Sequence, residues 1–525
     1  MTRESGCRGS LQALVALSIT WLALGCTTER AKETPKEVIA GTLIQNATIF
    51  DGTGAPRFEA DVRLLGDQIV AVGRLTPEPE DSVIDATGLA LAPGFIDTHS
   101  HADSDILERP DARAAVSQGI TTLVGGADGG SFLPLADFFA QLEASPPAVN
   151  LASFAGHNTY RDQVLADDFR RVSTLDEIEA MRQLLATDME SGALGLSTGL
   201  EYDPGIFSTT AEVLTLAREA ARHGGRYTSH MRSEDRAFWK AVDEILLIGR
   251  EAQIPVNVTH VKLAMQSSLG QAERLLSLLD QARAEGIDVT ADIYPYTYWQ
   301  STLEVLFPER DFDNLDSARF AVTEVSTPEG MLITQFEPEI GLAGRTLAEI
   351  SSQRGTEPAV TLMDLIREAQ EYRATTGTED VESVIAVSMS EEDIDRILQW
   401  PFVNICTDGE LWGSHPRGFG SFPRILGSYV RDREVLTLEE AIHKMTDRAA
   451  LSAGLPRRAR VEPEMYADLV LFDPATVNDR ASTEEPHADS DGILKVWVNG
   501  LLVWDRGDVT GARPGRVLRR PTTHD

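Results

Sequence analysis

The stretch GFIDTHSHAD, residues 94–103, ends an apolar run with two histidines, His99 and His101, that stand two positions apart. Side chains at positions i and i+2 of a β-strand point to the same side, so both imidazoles can reach one metal ion. Two histidines that only form hydrogen bonds at a strand end would leave the same pattern. The ends of the other predicted strands therefore decide between the two interpretations.

Strand and helix patterns alternate over residues 93–454. Apolar runs that end in polar residues, such as GITTLVGGADG, GALGLSTGLEY and VNICTDGE, are separated by helical patterns such as TAEVLTLAREAARHG. There are about eight such units, the number that closes a parallel barrel. The sequence predicts an α/β fold, a TIM-like (β/α)8 barrel, whose chemistry lies at the carboxyl ends of its strands.

Short strand patterns broken by turn residues fill both ends of the predicted folded part. Residues 41–92 include a hairpin pattern with Gly66-Asp67 as its turn. Residues 455–525 have a similar pattern of short strands separated by turn residues. We expect these two segments to pair into one small β-sandwich. A barrel insertion is predicted at about residues 301–358, where SARFAVTEV and MLITQFE resemble strands and precede the helical pattern TLMDLIREAQEY.

Three more polar side chains stand at predicted strand ends. His230 ends YTSH, His260 ends VNVTH, and Asp408 follows VNIC. A single buried histidine is usually a core residue with a hydrogen-bonding neighbour. Four histidines and an aspartate that converge on one barrel face are better explained by a metal site.

Eight blocks of the chain resemble, in order, those of the N-acyl-D-amino-acid deacylase (D-aminoacylase) family within the amidohydrolase superfamily. The blocks are APGFIDTHSHAD, GALGLSTGLEYDPG, SHMRSE, THVKLA, ADIYPY, MSEEDIDRIL, TDGELWGSHPRGFGSFPRIL and MYADLVLFDPATVNDRAS. The resemblance implies a metal-bearing TIM-like barrel with a β-sandwich from both chain ends. It also implies hydrolysis of N-acyl-D-amino acids to a carboxylate and a free D-amino acid, with one or two zinc ions.

Two positions distinguish this chain within that superfamily. Strand four, GALGLSTGL, has no lysine to serve as a carboxylated metal ligand, which disfavours hydantoinase and dihydroorotase functions. The deacylase family commonly has a cysteine at the end of strand two, and Asp128 aligns with it here. A carboxylate suits zinc, and as a harder ligand it would also accept manganese or cobalt. The alternative is that Asp128, which precedes a glycine, only forms a turn.

Further residues are expected to act around the metal, with Tyr202 assigned to the substrate by the resemblance and the others by their position and chemistry. Asp408 would act as general base and then general acid, with a purely structural role as the alternative. The substrate carboxylate would be bound by Arg417, Lys262 and Tyr202, each of which could instead be a surface charge or a wall residue. His157 is expected to shape the pocket, and His223 to end a helix.

The competing functions are another amidase of the same superfamily, a dipeptidase or cyclic-amide hydrolase, and a non-catalytic solute-binding lipoprotein. A net charge of −35, from 47 Lys and Arg against 82 Asp and Glu, disfavours nucleic acid and anionic lipid as partners. The expected partner is therefore a small N-acylated amino acid.

Residues 1–26 have the pattern of a lipoprotein-type signal segment. The apolar run LQALVALSITWLALG is short for a membrane span, and LALGC, ending at Cys26, resembles the lipobox of bacterial lipoproteins. Residues 27–40 are predicted to form a polar tether. We expect an exported bacterial protein, periplasmic or anchored to the membrane only through a lipid at Cys26; ordinary cleavage nearby is the alternative. Cys406 alone would then remain in the fold, which excludes a structural disulfide there.

Overall fold

The computed structural model describes residues 41–521 of the 525-residue chain. The predicted signal segment, the tether and the lipid anchor at Cys26 lie outside the described residues. Within residues 41–521, none of the helices combines the length and the apolar character that crossing a bilayer requires.

The strands are numbered in chain order. They are β1 (Thr42–Ile49), β2 (Phe58–Leu65), β3 (Gln68–Gly73), β4 (Ser82–Asp85), β5 (Ala90–Pro93), β6 (Phe95–Asp97), β7 (Ile120–Gly125), β8 (Asn150–Ser153), β9 (Ala155–Gly156), β10 (Gly195–Gly199), β11 (Arg226–His230), β12 (Val256–Val258), β13 (Val289–Ile293), β14 (Tyr298–Ser301), β15 (Met331–Phe336), β16 (Arg345–Thr346), β17 (Glu382–Val387), β18 (Val403–Ile405), β19 (Leu469–Phe472), β20 (Ile493–Val498), β21 (Leu501–Asp505) and β22 (Asp508–Val509).

The α-helices are numbered in the same way. They are α1 (Arg113–Val116), α2 (Leu135–Ala144), α3 (His157–Leu165), α4 (Leu175–Glu190), α5 (Thr210–Arg222), α6 (Phe238–Ala252), α7 (Ala272–Ala284), α8 (Leu315–Phe320), α9 (Leu347–Arg354), α10 (Pro358–Thr376), α11 (Glu391–Leu398), α12 (Arg417–Arg424), α13 (Leu438–Met445) and α14 (Asp447–Ala453).

Two parallel sheets carry the predicted alternation of strand and helix. Their strand orders are β6-β7-β8 and β9-β10-β11-β12-β13-β18, and β8 is separated from β9 in the chain by Phe154 alone. Almost every residue of these strands is buried, which explains why the sequence shows continuous apolar runs there. The two outer strands also meet beyond their ends, where the backbone N–H of Asp408 donates to the carbonyl of His99 at 2.9 Å. The predicted α/β class with parallel strands is therefore present.

Local capping signals set the starts of the helices between these strands. Thr174 caps α4 by accepting a hydrogen bond from the backbone N–H of Glu177, whose side chain returns to the N–H of Thr174. This reciprocal pair satisfies two backbone donors that the first helical turn leaves free. Thr209 caps α5 in the same position by accepting from the N–H of Glu212. The helical patterns in the sequence thus have defined starts in the structure.

Strands from both chain ends share one nine-stranded sheet. Its order is β22-β21-β20-β19-β5-β1-β2-β3, with β4 beside β1. The junction between the two ends is the antiparallel pair β19–β5, in which Leu469 lies opposite Pro93. Gly66-Asp67 forms the two-residue connection between β2 and β3, and Gly66 has φ of 60°, a conformation that favours glycine. The middle of the chain therefore lies between two segments of a single sheet.

A separate antiparallel sheet includes part of the predicted insertion of about residues 301–358. Its strand order is β14-β17-β15-β16, and its strands run from Tyr298 to Val387. The stretch SARFAVTEV was predicted to resemble a strand, and this was wrong, because it forms part of α8 and a π-helical segment, Ala321–Val325. Asn314 starts α8 by accepting hydrogen bonds from two backbone N–H groups. Helix α10, which contains TLMDLIREAQEY, buries Leu362 and Leu365 in the core of the insertion.

Candidate metal centre and substrate pocket

Every residue predicted to hold the metal stands just after a parallel strand or at its end. His99 and His101 follow β6, Asp128 follows β7, His230 is the last residue of β11, and His260 follows β12. The carboxyl ends of these parallel strands meet, which brings the side chains together. The structure therefore unites the whole predicted set, together with Asp408 after β18.

Asp128 lies at the centre of this set. Its Oδ1 is 3.5 Å from His99 Nε2 and 3.4 Å from His260 Nε2. Its Oδ2 is 3.5 Å from His101 Nε2 and 3.9 Å from His230 Nδ1. Two clusters of possible ligands thus share one carboxylate, one formed with His99, His101 and Asp408, the other with His230 and His260.

The donor set fits a metal ion such as zinc. His99 Nε2 and Asp128 Oδ1 are buried and have no hydrogen-bond partner among the described residues. Unpartnered buried polar atoms are costly, so such atoms at a site indicate a missing ligand. Ligand atoms about 2.1 Å from a tetrahedral zinc ion stand about 3.4 Å apart. The separations around Asp128 match that arrangement, and imidazole nitrogen and carboxylate oxygen are the atoms that zinc takes.

Three of these residues adopt the left-handed backbone conformation, which is uncommon outside glycine. The φ angles are 50° at Asp128, 32° at His260 and 51° at Asp408. Such conformations cost free energy and concentrate at functional sites. Gly129 next to Asp128 has φ of 79°, and a Cβ there would lie 2.7 Å from the backbone nitrogen of Gly199. Asp128 therefore belongs to a glycine-dependent turn, as its alternative interpretation held, and that turn presents its carboxylate to the histidines.

The carboxylates of this site raise the affinity of the neighbouring histidines for positive charge. Burial alone would lower the pKa of His101, but hydrogen bonds with Asp128 and Asp408 outweigh burial and raise it to about 10. Burial alone would raise the pKa of Asp408, but Arg417 and the histidines hold it well below its ordinary value. Positive charge is therefore favoured between these carboxylates, which is where a metal ion would supply it.

Two glutamates that the sequence analysis missed lie behind the second pair of histidines. His230 Nε2 is 3.0 Å from Glu201 Oε2, and His260 Nδ1 is 3.1 Å from Glu234 Oε1. A histidine that ligates a metal usually donates its other N–H to a carboxylate, which fixes the tautomer and orients the ring. A sequence signal existed, since Glu201 ends GLSTGLE and Glu234 ends SHMRSE, both within motif blocks.

The three predicted substrate-binding residues all line the cavity, but they differ in the partners that their polar groups already have. Lys262 is buried, and its Nζ lies 2.7 Å from both carboxylate oxygens of Glu234, so its charge is already neutralised. Arg417, the first residue of α12, places Nη1 2.5 Å from Asp408 Oδ2, while its Nε is buried without a partner among the described residues. Burial raises the pKa of Tyr202 well above its ordinary value, so its hydroxyl stays protonated.

His157 does not shape the pocket, contrary to the prediction. Its side chain is fully buried, and its Nε2 lies 2.9 Å from Glu212 Oε1. Glu212 is also paired with Arg161, so His157 belongs to a buried ion network under α3 and α5. The histidine is a core residue whose Nε2 is paired with a carboxylate from α5. His223 lies at the end of α5, as predicted.

The cavity above these residues has a volume of about 640 Å³. The clusters around Asp128 form one side, and Glu410 and Trp412, on the loop after β18, form part of the rim. Another part of the lining comes from residues 298–387, with Trp299, Gln300, Ser301, Thr302, Val305, Leu306, Val325, Gln335, Asp380, Glu382 and Ser383. A pocket of this size suits a small organic molecule.

Comparisons with known proteins agree with this arrangement. The model of the amidohydrolase family matches residues 82–401 and 404–504. Two proteins of Alcaligenes xylosoxydans xylosoxydans are similar: D-aminoacylase, 37% identical over 91% of this chain and 97% of its own, and N-acyl-D-glutamate deacylase, 38% identical over 91% and 96%. A similar solved structure is the crystal structure of N-acyl-D-glutamate deacylase from Bordetella bronchiseptica, complexed with zinc and a phosphonate inhibitor that mimics the tetrahedral intermediate. It superposes with a TM-score of 0.81 and is 35% identical. The match covers 91% of this chain and 99% of that one.

Proposed function

The chain belongs to the amidohydrolase family, and we propose that it is a metal-dependent hydrolase that cleaves N-acyl-D-amino acids to a carboxylate and a free D-amino acid. The resemblance predicted from the sequence blocks is confirmed by these relatives. The observation that carries the proposal is the pair of ligand clusters that share Asp128 at one side of the cavity.

The scaffold of this site is a closed eight-stranded barrel. The inference is supported by backbone hydrogen bonds between the two parallel sheets, from Phe154 N to Gly125 O at 3.0 Å and from Leu194 N to Ser153 O at 2.9 Å. With β8 and β9 counted as one interrupted strand, the strand order runs once around from β6 to β18. The nine-stranded sheet would then be the β-sandwich that both chain ends build.

We assign the metal ligands to His99, His101, Asp128, His230 and His260, which would hold one or two zinc ions. Glu234 and Glu201 would orient the second pair of histidines, His260 and His230. Bound zinc supplies Lewis acidity, which polarises an amide carbonyl and acidifies a water molecule. Because the shared ligand is a carboxylate, manganese and cobalt also suit the site.

Asp408 is the proposed proton carrier. Arg417 holds its Oδ2, while Oδ1 faces His99 and His101 at 3.2 and 3.1 Å. Its lowered pKa keeps it ionised at neutral pH, so it can accept a proton from the attacking water. The same oxygen would then deliver that proton to the nitrogen of the leaving D-amino acid.

Arg417 and Tyr202 are the groups we propose for the α-carboxylate of the substrate. Arg417 has an unpartnered Nε, and Tyr202 has a protonated hydroxyl at the cavity wall. Lys262 is paired with Glu234 and contacts His260 Nδ1 at 2.7 Å, so we assign it to positioning rather than to the substrate. The preference for the D enantiomer rests on the relatives alone.

We also propose that the protein is exported and lipidated at Cys26. The support is the pattern of residues 1–26 and the polar segment that follows it. Cell fractionation of the natural protein and of Cys26→Ser, after growth with a labelled fatty acid, tests this. Label and membrane association that both disappear in the variant are expected; a natural protein recovered unlabelled from the cytoplasm would refute the proposal.

Amine release by the purified protein tests the function. We expect release from N-acetyl-D-amino acids and not from their L enantiomers, loss of release after chelation, and recovery when zinc returns. Parallel assays with D-dipeptides and cyclic amides cover the competing substrates. Turnover of those substrates alone, by protein that carries metal, would contradict the deacylase assignment.

A further inference from the structure

Glu382, the first residue of β17, is a buried carboxyl in the lining of the same cavity as the candidate metal ligands. It is 5% exposed, and it lines the cavity together with residues of β14 and β15. Its Oε2 accepts a hydrogen bond from the backbone N–H of Leu303 at 2.8 Å. Its Oε1 is buried and has no partner among the described residues. A buried acceptor without a donor costs free energy, so a donor from a bound ligand would stabilise this oxygen.

The cations that act on Glu382 or line the cavity are already paired within the described residues. Arg373 is the positive group that acts on Glu382, and its Nη1 already donates to Glu304 Oε1 at 3.1 Å. Lys262 and Arg417 are the lysine and arginine of the cavity lining, and both are paired with carboxylates near the metal centre. A positively charged partner for the Glu382 carboxylate is therefore expected from a bound molecule.

Two side chains of the same wall, Gln335 and Trp299, already donate their N–H groups within the protein. The amide nitrogen of Gln335 donates to Glu337 Oε1 at 3.1 Å and to the carbonyl of Asp380 at 2.9 Å. The indole N–H of Trp299 donates to Ser388 Oγ at 2.7 Å. These two N–H groups are therefore not free for a substrate carboxylate, which would also meet the carboxyl group of Glu382.

We infer that Glu382 is a specificity residue that receives the positively charged side chain of an N-acyl-D-amino acid, so that the preferred substrates are derivatives of D-lysine and D-arginine. The inference rests on the proposed deacylase function and names the substrate class of the same site. A charge-assisted hydrogen bond to Glu382 Oε1 favours the basic side chain, and the same carboxylate disfavours D-glutamate and D-aspartate derivatives.

Steady-state kinetics with matched substrates tests the inference. N-acetyl-D-lysine is compared with N-acetyl-D-norleucine, which has the same carbon chain without the amine, and with N-acetyl-D-glutamate. We expect kcat/KM for the lysine derivative to exceed that for norleucine by about tenfold or more, with glutamate lowest. In Glu382→Gln, which keeps an acceptor for Leu303, the lysine-to-norleucine ratio should fall close to one.

Glu379→Gln is the matched control, because Glu379 is an exposed glutamate of the same insertion that does not line the cavity. The control should keep the lysine-to-norleucine ratio of the natural protein. Equal use of the two substrates by the natural protein would overturn the inference and leave the deacylase function standing. An unchanged ratio in Glu382→Gln would also overturn it. Metal-loaded protein that releases amine from none of these substrates would instead overturn the deacylase function itself.

Discussion

Arg417 binds the carboxylate of Asp408 directly, with Nη1 2.5 Å from Oδ2, at the side of the cavity where the histidines converge. The contact leaves the other oxygen of Asp408 facing His99 and His101. One residue nine positions further along the chain thus sets both the charge and the orientation of the proposed proton carrier. The relationship makes Asp408 the first position to test.

Asp408→Asn should lower kcat by about a thousandfold, because an amide cannot accept and return a proton and general acid–base catalysis contributes about 10²–10⁴-fold. The metal content should stay near that of the natural protein, since the assigned ligands remain. Rates and metal analysis on the same preparation check both parts. A variant within tenfold of the natural kcat would show that Asp408 has only a structural role.

Asp128→Ala should reduce the metal retained after dialysis, since Asp128 is the ligand that the two clusters share. Asp128→Cys should retain metal but shift selectivity from manganese towards zinc, because thiolate is the softer ligand. Competition dialysis followed by metal analysis measures both effects. Full retention of metal by the alanine variant would show that Asp128 is not a metal ligand and only forms the turn.

Tyr202→Phe should raise KM for the substrate by about tenfold and change kcat less, because it removes one hydrogen bond to a charged carboxylate. Steady-state kinetics on an N-acetyl-D-amino acid gives the two constants. Tyr372→Phe, on α10 in the insertion and outside the cavity lining, serves as the control and should leave both constants unchanged. A KM that is the same in Tyr202→Phe would remove Tyr202 from substrate binding.

Lys262→Met should destabilise the protein, because it leaves the buried carboxylate of Glu234 without its cation; breaking a buried pair in this way costs about 3–5 kcal/mol. Arg250→Met breaks a pair with Glu285 in which both side chains are about half exposed, and it should destabilise the protein much less, because solvent screens the charges of an exposed pair. Thermal unfolding of both variants gives the comparison. Equal midpoints would mean that Glu234 does not depend on Lys262.

Stability should depend on pH through Glu382. Burial raises the pKa of this carboxyl to about 7 from its ordinary value of 4.5, although the N–H of Leu303 acts against the shift. Between these two values the folded state binds more protons than the unfolded state, so the free energy of unfolding falls as pH rises from 4.5 to 7. The loss is up to about 3 kcal/mol.

The matched comparison is Glu382→Gln, which lacks this titration. The stability of the natural protein relative to the variant should decline from pH 4.5 to 7 and stay constant above that range. Thermal unfolding at several pH values measures the difference. A constant difference across this range would show that Glu382 is ionised throughout and that burial does not raise its pKa.

Local spacing determined most of the metal centre. His99 and His101 stand two apart after one strand, and His230, His260 and Asp408 each stand at or just beyond the end of another. Parallel strands in an α/β fold bring such ends to one face, so the sequence pattern already implied convergence. The hairpin at Gly66-Asp67 was predictable for a similar reason, because a two-residue turn needs only its own residues and their neighbours.

The parts that local spacing did not reveal depend on contacts across long chain separations. Glu234 faces Lys262 from another loop, and Glu382 reaches the cavity only because β17 pairs with β14 and β15, about 50 to 85 residues earlier in the chain. Such pairings carry no periodic signal in the sequence, since they depend on the packing of the insertion. The residue types that can bind metal were thus determined by the sequence, whereas tertiary structure decided which charges are paired and which wall Glu382 lines.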